Sequence, residues 1–186
     1  MIEKKVAFCE EELITSVLLT DVKETDQTVI VDSGNPRTLG GRPKIEEYLE
    51  ANDIRKEELI SKPANMVFIF GDTRYTSKEV IEIPMKLELK GGESMMMNVP
   101  TYIVEGNVPI LLGQNTLKRW NSKLNFLDET LEVFMYNEKK PLEFLAPKIG
   151  SHIKMKLEPL KKWSLEETVE YLEEEVHLIS EEEKKK

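Results

Sequence analysis

Residues 28–34 read Thr-Val-Ile-Val-Asp-Ser-Gly, an apolar run that ends in a carboxylate, a hydroxyl and a glycine. The β-branched run predicts a buried strand, and the glycine permits a tight turn immediately after it. A carboxylate held in such a turn is partly removed from water, which raises its pKa and suits it to proton transfer. Asp32 is therefore a candidate catalytic residue, although Asp-Ser-Gly is also ordinary turn chemistry.

A second element with a related construction lies further along the chain. Residues 108–120 read Val-Pro-Ile-Leu-Leu-Gly-Gln-Asn-Thr-Leu-Lys-Arg-Trp. The apolar run predicts a strand that ends at Gly113, and the residues after it predict a short helix. The two elements in this order are more informative than either one alone.

Together they resemble the retropepsin-like aspartic proteases of retroviruses and long-terminal-repeat retrotransposons. In that family a strand of two hydrophobic residues and a glycine runs beside the catalytic loop, and Leu111, Leu112 and Gly113 match this strand. The resemblance covers residues 22–160. It implies a mainly β chain with the closed β-barrel of the acid-protease fold and short helices.

The resemblance also assigns a flap, the hairpin that closes over a bound peptide in this family. Its arms would be residues 66–72 and 79–85, and its tip residues 71–77. Asp72 is expected to be a hairpin-turn residue and not a second catalytic acid. The tip would exclude water and bond the peptide backbone, with these candidates for substrate binding: Gly71, Asp72 and Thr73.

Aspartic protease chemistry needs two carboxyl groups, one to accept a proton from water and one to polarise the peptide carbonyl. The chain has one Asp-Ser-Gly, so the resemblance implies a symmetric homodimer in which each subunit supplies Asp32. The hydroxyl of Ser33 would bond the partner's loop, and Gly34 would let backbone approach the substrate. The implied reaction hydrolyses peptide bonds of a retrotransposon polyprotein, with no metal or other cofactor.

One position departs from the family pattern. After Asp-Ser-Gly the family favours a small residue, whereas this chain has Asn35 followed by Pro36. The amide of Asn35 could bond the carboxylate of Asp32 or crowd it. The alternative function is therefore a catalytically silent module that keeps the retropepsin-like fold for dimerisation or peptide binding. A β-rich adaptor unrelated to proteases is a third possibility.

Composition narrows the partners and the compartment. The chain has 186 residues, 33% of them charged, and a formal net charge of −9. Acidic chains of this kind are a poor match for nucleic acid as the main partner. The partners that the resemblance implies are a polypeptide substrate and a second copy of the chain. A single cysteine suits a reducing compartment, and no apolar run is long enough to cross a membrane. These features predict a soluble, intracellular, cytoplasmic protein.

Three zones are expected along the chain: an N-terminal arm at residues 1–21, the protease-like domain at 22–160, and an acidic amphipathic helix with a charged tail at 161–186. In the arm, residues 13–19 predict a strand that pairs with the catalytic strand. The C-terminal helix would pack on the domain, with a partner or self-association as the alternative.

Smaller patterns complete the prediction. Residues 43–50 predict a helix between the catalytic loop and the flap, which points to the retrotransposon branch of the family. His152 and His177 have no cysteine or second histidine at ligand spacing, so structural or surface roles are expected and no metal. The triplet at residues 95–97, Met-Met-Met, predicts flexible packing or part of a substrate groove. Further strands are expected at residues 124–128, 130–133 and 148–157, with a hairpin turn at 91–92.

Overall fold

A computed structural model describes residues 2–6 and 27–160 of the chain. Within these ranges the chain is mainly β, with two short helices and one 3-10 turn at Lys56–Glu58. The helices are α1 (Arg42–Ala51) and α2 (Gln114–Arg119). The strands are β1 (Ile2–Val6), β2 (Thr28–Val31), β3 (Leu39–Gly41), β4 (Ser61–Phe70), β5 (Thr73–Glu88), β6 (Ser94–Val104), β7 (Ile110–Leu112), β8 (Ser122–Asn125), β9 (Thr130–Val133), β10 (Leu142–Leu145), β11 (Lys148–Ile149) and β12 (His152–Lys156).

Nine strands form one sheet in the order β1-β4-β5-β6-β3-β7-β2-β12-β11, and three form a second sheet in the order β10-β9-β8. In the described ranges β1 and β11 are the two edges of the larger sheet, so this sheet is open. The prediction of a closed β-barrel is therefore wrong. Closure requires the edge strands to pair with each other, and β11 offers only two residues, both exposed.

The strand that leads into Asp32 is central in the larger sheet. β2 pairs in parallel with β7, with Val31 opposite Leu112, and antiparallel with β12. Both edges of β2 are therefore occupied by described strands. The pairing predicted between residues 13–19 and this strand concerns residues outside the described ranges, as do most of the arm and the helix predicted at 161–186.

Alternate side chains of β2 enter two different cores, because successive residues of a strand point to opposite faces. Val29 belongs to a cluster with Ile110, Leu112 and Met155. Ile30 belongs to a second cluster, which includes Leu111, Leu39, Phe68, Phe70 and Tyr102. The same alternation puts Asp32 on the face of Ile30. The catalytic candidate Asp32 thus directly follows a strand whose side chains enter a core on each face.

The predicted flap arms are confirmed as strands β4 and β5, which form an antiparallel hairpin. The predicted tip at residues 71–77 is too long, because Thr73 already pairs with Phe70 and leaves a two-residue turn. Gly71 has a φ of 57°, the positive value that the first position of a type II′ turn needs. Asp72 is the second turn residue, as expected.

Three other local predictions are confirmed. The predicted helix at residues 43–50 is α1, which buries Ile45, Tyr48 and Leu49. The hydroxyl of Tyr48 donates a hydrogen bond to the carbonyl of Pro84 at 2.6 Å and so fastens the helix to β5. The turn at residues 91–92 joins β5 to β6, and residues 130–133 form β9.

Two predicted strands differ from the structure. The strand predicted at 124–128 is β8, which ends at Asn125 because residues 126–129 form the turn to β9. The strand predicted at 148–157 is a hairpin of β11 and β12, with its turn at Gly150 and Ser151.

Candidate active site

The position of Asp32 is fixed by the strand beside it. The backbone N–H of Asp32 donates to the carbonyl of Leu112 at 3.0 Å, which continues the parallel pairing of β2 with β7 by one step. Leu111 and Leu112 are fully buried, so this strand is held by the two cores and cannot slide. The structure therefore brings together Asp32 and the strand of Leu111, Leu112 and Gly113, although they are distant in the sequence.

One carboxylate oxygen of Asp32 is used to build the turn. Its Oδ1 accepts a hydrogen bond from the N–H of Gly34 at 3.0 Å, and the N–H of Asn35 donates to the carbonyl of Asp32 at 3.2 Å. The other oxygen, Oδ2, is buried and has no hydrogen-bond partner within the described ranges. A buried acceptor of this kind is costly unless a ligand or a proton satisfies it.

Burial raises the pKa of Asp32 above its ordinary value, because the charged carboxylate loses water. Three interactions oppose this effect without cancelling it: the N–H groups of Gly34 and Asn35, and the positive charge of His152. A carboxyl group shifted in this direction exchanges a proton at a higher pH than an exposed aspartate does. This behaviour suits a general acid or base.

Ser33 and Gly34, at the tip of the turn, are exposed to solvent. The side chain of Gln114 donates a hydrogen bond from Nε2 to the carbonyl of Ser33 at 2.6 Å. The tip is therefore held from one side by the protein and is accessible from the other. Within residues 2–6 and 27–160, no element buries the side chain of Ser33.

The rest of the turn is attached to the start of α2. The N–H of Gln114 donates to the carbonyl of Asn35 at 2.8 Å, and the N–H of Asn115 donates to the carbonyl of Pro36 at 3.1 Å. The first N–H groups of a helix have no partner within the helix, so this contact satisfies donors and acceptors at once. The helix predicted after Gly113 thus holds the turn of residues 32–36 in place through these two hydrogen bonds.

Gly113 has a specific steric role at this crossing. A methyl group added at Gly113 would lie 2.3 Å from the carbonyl carbon of Arg37 and 2.8 Å from the nitrogen of Thr38. Both atoms belong to the backbone, which cannot rotate away as a flexible side chain can. The two segments can therefore touch only because residue 113 has no side chain.

A buried polar network, missed by the sequence analysis, reinforces the crossing. Thr38 is fully buried. Its Oγ1 accepts from the N–H of Gly113 at 2.9 Å and lies 2.6 Å from Oγ1 of Thr116, and its N–H donates to Oδ1 of Asn115 at 2.8 Å. Threonine and asparagine are common on surfaces and in turns, so the sequence gives no signal for this network.

Asn35, the departure from the family pattern, does not bond the carboxylate through its side chain. The side chain is fully buried, and its Oδ1 accepts from the N–H of Arg37 at 3.4 Å. The amide thus forms a second side-chain-to-backbone turn directly after that of Asp32. The Asn35 side chain thus stabilises the loop, and its amide group does not hydrogen-bond to Oδ2 of Asp32.

Sheet pairing does not bring the predicted flap residues to Asp32. The hairpin turn of Gly71 and Asp72 is exposed, and β6, β3 and β7 lie between β5 and β2 in the sheet. The hairpin is present in the expected position along the chain. Its role as a flap remains a prediction.

The sequence predicts a surface or structural role for His152. The structure buries this residue near Asp32. It is 8% exposed and starts β12, the strand that pairs with β2. The strand pattern at residues 148–157 was visible in the sequence. Its pairing with the catalytic strand depends on tertiary contacts, and this pairing is what makes His152 a neighbour of Asp32.

A separate groove, with a cavity volume of about 180 Å³, lies beside the first core. We call it the methionine groove, and it is lined by Met95, Met96, Met97, Asn98, Trp120, Met135 and Tyr136. Methionine side chains are flexible and adapt to different apolar partners. The predicted alternative for the methionine triplet, a place in a groove, thus agrees with where the triplet lies.

Residues 2–6 and 27–160 contain neither a candidate metal site nor a candidate membrane-spanning helix. No cluster of three or more histidine, cysteine, aspartate or glutamate residues could hold a metal ion there. No helix in these ranges has the length and apolar character needed to cross a membrane.

Comparison with known proteins gives limited information. The chain is similar to the crystal structure of the retroviral protease-like domain of Ddi1 from Leishmania major, with 19% identity and a TM-score of 0.38. The match covers 63% of this chain and 82% of that chain. No protein-family model matches, and no curated protein sequence matches. At this identity and TM-score the likeness defines neither the family nor the function of this chain.

Proposed function

We propose that this chain is a retropepsin-like aspartic endopeptidase domain and that Asp32 is its catalytic residue. The observation that carries the proposal is the carboxylate of Asp32: one oxygen is bound to the turn, and the other is buried without a hydrogen-bond partner in the described ranges. A raised pKa and a rigid attachment to β7 and α2 fit a group that must give and accept protons in one place.

In the proposed reaction two Asp32 carboxyl groups act on one water molecule. The ionised group takes a proton from the water as its oxygen attacks the peptide carbonyl carbon, and the protonated group gives its proton to the carbonyl oxygen. The tetrahedral intermediate then breaks its C–N bond as a proton passes to the leaving nitrogen. Two carboxyl groups about 3 Å apart cannot both be ionised, so they share one proton as this mechanism requires.

The second carboxylate would come from a second copy of the chain. Ser33 and Gly34 are exposed beside Asp32, which leaves this side of the turn accessible to an identical turn from a partner. The finer expectations from the resemblance belong to the same proposal: a two-fold homodimer, the β4–β5 hairpin as a flap, and a retrotransposon polyprotein as substrate. The peptide would bind as an added strand, with apolar side chains in alternate pockets.

The direct test is the substitution Asp32→Asn, assayed on a library of peptides. The amide is nearly the same size as the carboxylate but cannot ionise, so we expect kcat/KM to fall by about 10³-fold or more. The matched control is Asp53→Asn, which changes an exposed aspartate with a φ of 54°, a conformation that asparagine also tolerates. Undiminished cleavage by purified Asp32→Asn protein would reject the proposal.

The methionine groove favours a second candidate, a peptide-binding module without catalysis. Its lining is largely methionine and aromatic, and Tyr136 is 53% exposed at its rim. If the folded wild-type chain cleaves no peptide in the library but retains some of them in a pull-down, this candidate replaces the protease. If Met96→Ala abolishes that retention, the groove is the binding site.

A further inference from the structure

His152 occupies a defined position relative to Asp32. β12 runs antiparallel to β2, and Ile153 lies opposite Val31. One further step of this register sets His152 opposite Asp32. Side chains directly opposite each other in an antiparallel pair have Cβ atoms about 5 Å apart, which is within reach of an imidazole and a carboxylate. His152 is 8% exposed, so its imidazole is largely removed from bulk water.

The charged groups around His152 can be assigned strand by strand. On its own strand, Lys154 follows on the same face and is also buried. On the other side β11 sets Ile149 against it, which carries no charge. Beyond the end of β12, Leu87 of β5 forms a bridge with Leu157, and both side chains belong to the core cluster of Met155 on the opposite face. In this register the acid opposite His152 is Asp32.

The two side chains attract each other when the imidazole is protonated and the carboxylate is ionised. Burial raises the pKa of Asp32 above its ordinary value, and the positive charge of His152, together with the N–H groups of Gly34 and Asn35, partly opposes this rise. The histidine thus opposes the loss of the charged form that burial causes.

We propose that His152 is a positioning residue for Asp32, which places a cationic side chain opposite the carboxylate on the neighbouring strand. Its consequence for catalysis rests on the proposed function. The coupling between the two side chains does not, because it follows from the register of β2 and β12 and exists whether or not the chain cleaves peptides.

The coupling is measured by NMR titration of the full chain. The sequence has two histidines, so the imidazole signals of His152 and His177 are readily separated, and His177 is an internal reference. In the Asp32→Asn protein His152 loses an opposing negative charge, and we expect its pKa to fall by about 1 pH unit. Asp53→Asn should leave it unchanged. An unchanged titration of His152 in folded Asp32→Asn protein would overturn the proposal.

The effect on catalysis is measured by the pH profile of kcat/KM. In His152→Gln protein the carboxylate has lost its cation, so the acidic limb of the profile should move up by about 1 pH unit. Lys154→Gln, which removes a buried charge from the same face two residues away, should leave the limb in place. A merely structural role of His152 would lower the activity equally at every pH, and that result would contradict the proposal.

The two measurements separate this inference from the proposed function. If the wild-type chain has no activity but the titration of His152 responds to Asp32→Asn, the protease assignment fails and the coupling stands. If the chain is active and neither the titration nor the acidic limb moves, the coupling fails and the protease assignment stands. If His152→Gln does not fold, the titration of His152 in the Asp32→Asn protein still tests the coupling between the two side chains.

Discussion

Gly113 allows two backbone segments to touch beneath the carboxylate of Asp32. The carbonyl of Arg37 and the nitrogen of Thr38 fill the space that any side chain at position 113 would need. The same glycine donates its N–H to the buried hydroxyl of Thr38. The contact between the turn of Asp32 and α2 therefore depends on the absence of a side chain at Gly113.

We expect Gly113→Ala to destabilise the chain by about 1–3 kcal/mol, the usual cost of forcing extra atoms into a packed site. The backbone of residues 37–38 would have to move, and Asp32 would lose its position relative to α2. The measurement is the free energy of unfolding from urea denaturation. Activity at a urea concentration where the variant is still folded shows whether the carboxylate is also misplaced.

The matched control for this substitution is Gly91→Ala. Gly91 is exposed in the turn between β5 and β6, and nothing lies within 4 Å of the position of an added methyl group. Its free energy of unfolding should stay within about 0.5 kcal/mol of the wild type. Equal effects at positions 113 and 91 would contradict the steric role assigned to Gly113.

At the scale of elements, an ion-pair cluster joins α1 to the strands around it. Glu79 on β5 accepts from Lys56 at 2.8 Å and from Arg42 at 3.1 Å, and Arg42 also donates to Glu105 at 2.7 Å. Burial alone would raise the pKa of Glu79, but the two donors outweigh it and hold the pKa below its ordinary value. The helix thus depends on this carboxylate being charged.

We expect Glu79→Gln to reduce the free energy of unfolding by about 1 kcal/mol at neutral pH. Because the pKa of Glu79 is lower in the folded chain than in the unfolded one, its contribution is present above the unfolded value and is lost as the pH falls through the folded value. The difference between variant and wild type should therefore shrink as the pH falls below the ordinary glutamate pKa and through the lower folded value. Denaturation curves across this range test it.

Glu105→Gln is the comparison variant for the same cluster. Its side chain is 71% exposed, and its ion-pair partner in the described part of the chain is Arg42, so water screens most of its charge. We expect a loss of no more than a few tenths of a kcal/mol. If Glu105→Gln costs as much as Glu79→Gln, the partly buried position of Glu79 does not have the role assigned to it.

At the scale of the whole molecule, the described residues contain one Asp-Ser-Gly turn, with its tip open to solvent at Ser33 and Gly34. The proposed aspartic protease chemistry needs a second carboxyl group, and a two-fold axis beside this turn would supply it. Under this proposal the active form is a homodimer. Its stoichiometry can be measured without a structure of the dimer.

Mixing wild-type and Asp32→Asn protein at a fixed total concentration gives that measurement. If the active unit needs two intact Asp32 residues, activity should fall as the square of the wild-type fraction, to about a quarter in an equal mixture. The subunits must exchange before the assay, which tagged copies and a pull-down establish. A linear fall to half in a fully exchanged mixture would mean that each chain acts alone.

Several elements could be predicted from the sequence because their signals are local. The β-branched run ending in Asp-Ser-Gly, the helix at residues 43–50 and the hairpin turns depend on residues a few positions apart. The open sheet and the pairing of β12 with β2 could not be predicted in this way. Many strands have similar alternating patterns, and the choice among their edges depends on the packing of the whole chain.

The sequence by itself determined that Asp32 ends a buried strand in a tight turn, because residues 28–34 contain both the apolar run and the glycine. It also determined that a strand ending in Gly113 leads into a helix. Only the tertiary structure decided that these segments touch, that Thr38 is buried between them, and that His152 stands opposite Asp32. The physical reason is that burial and register arise between segments far apart in the chain, and their pairing is set by the shared core and not by the composition of either segment.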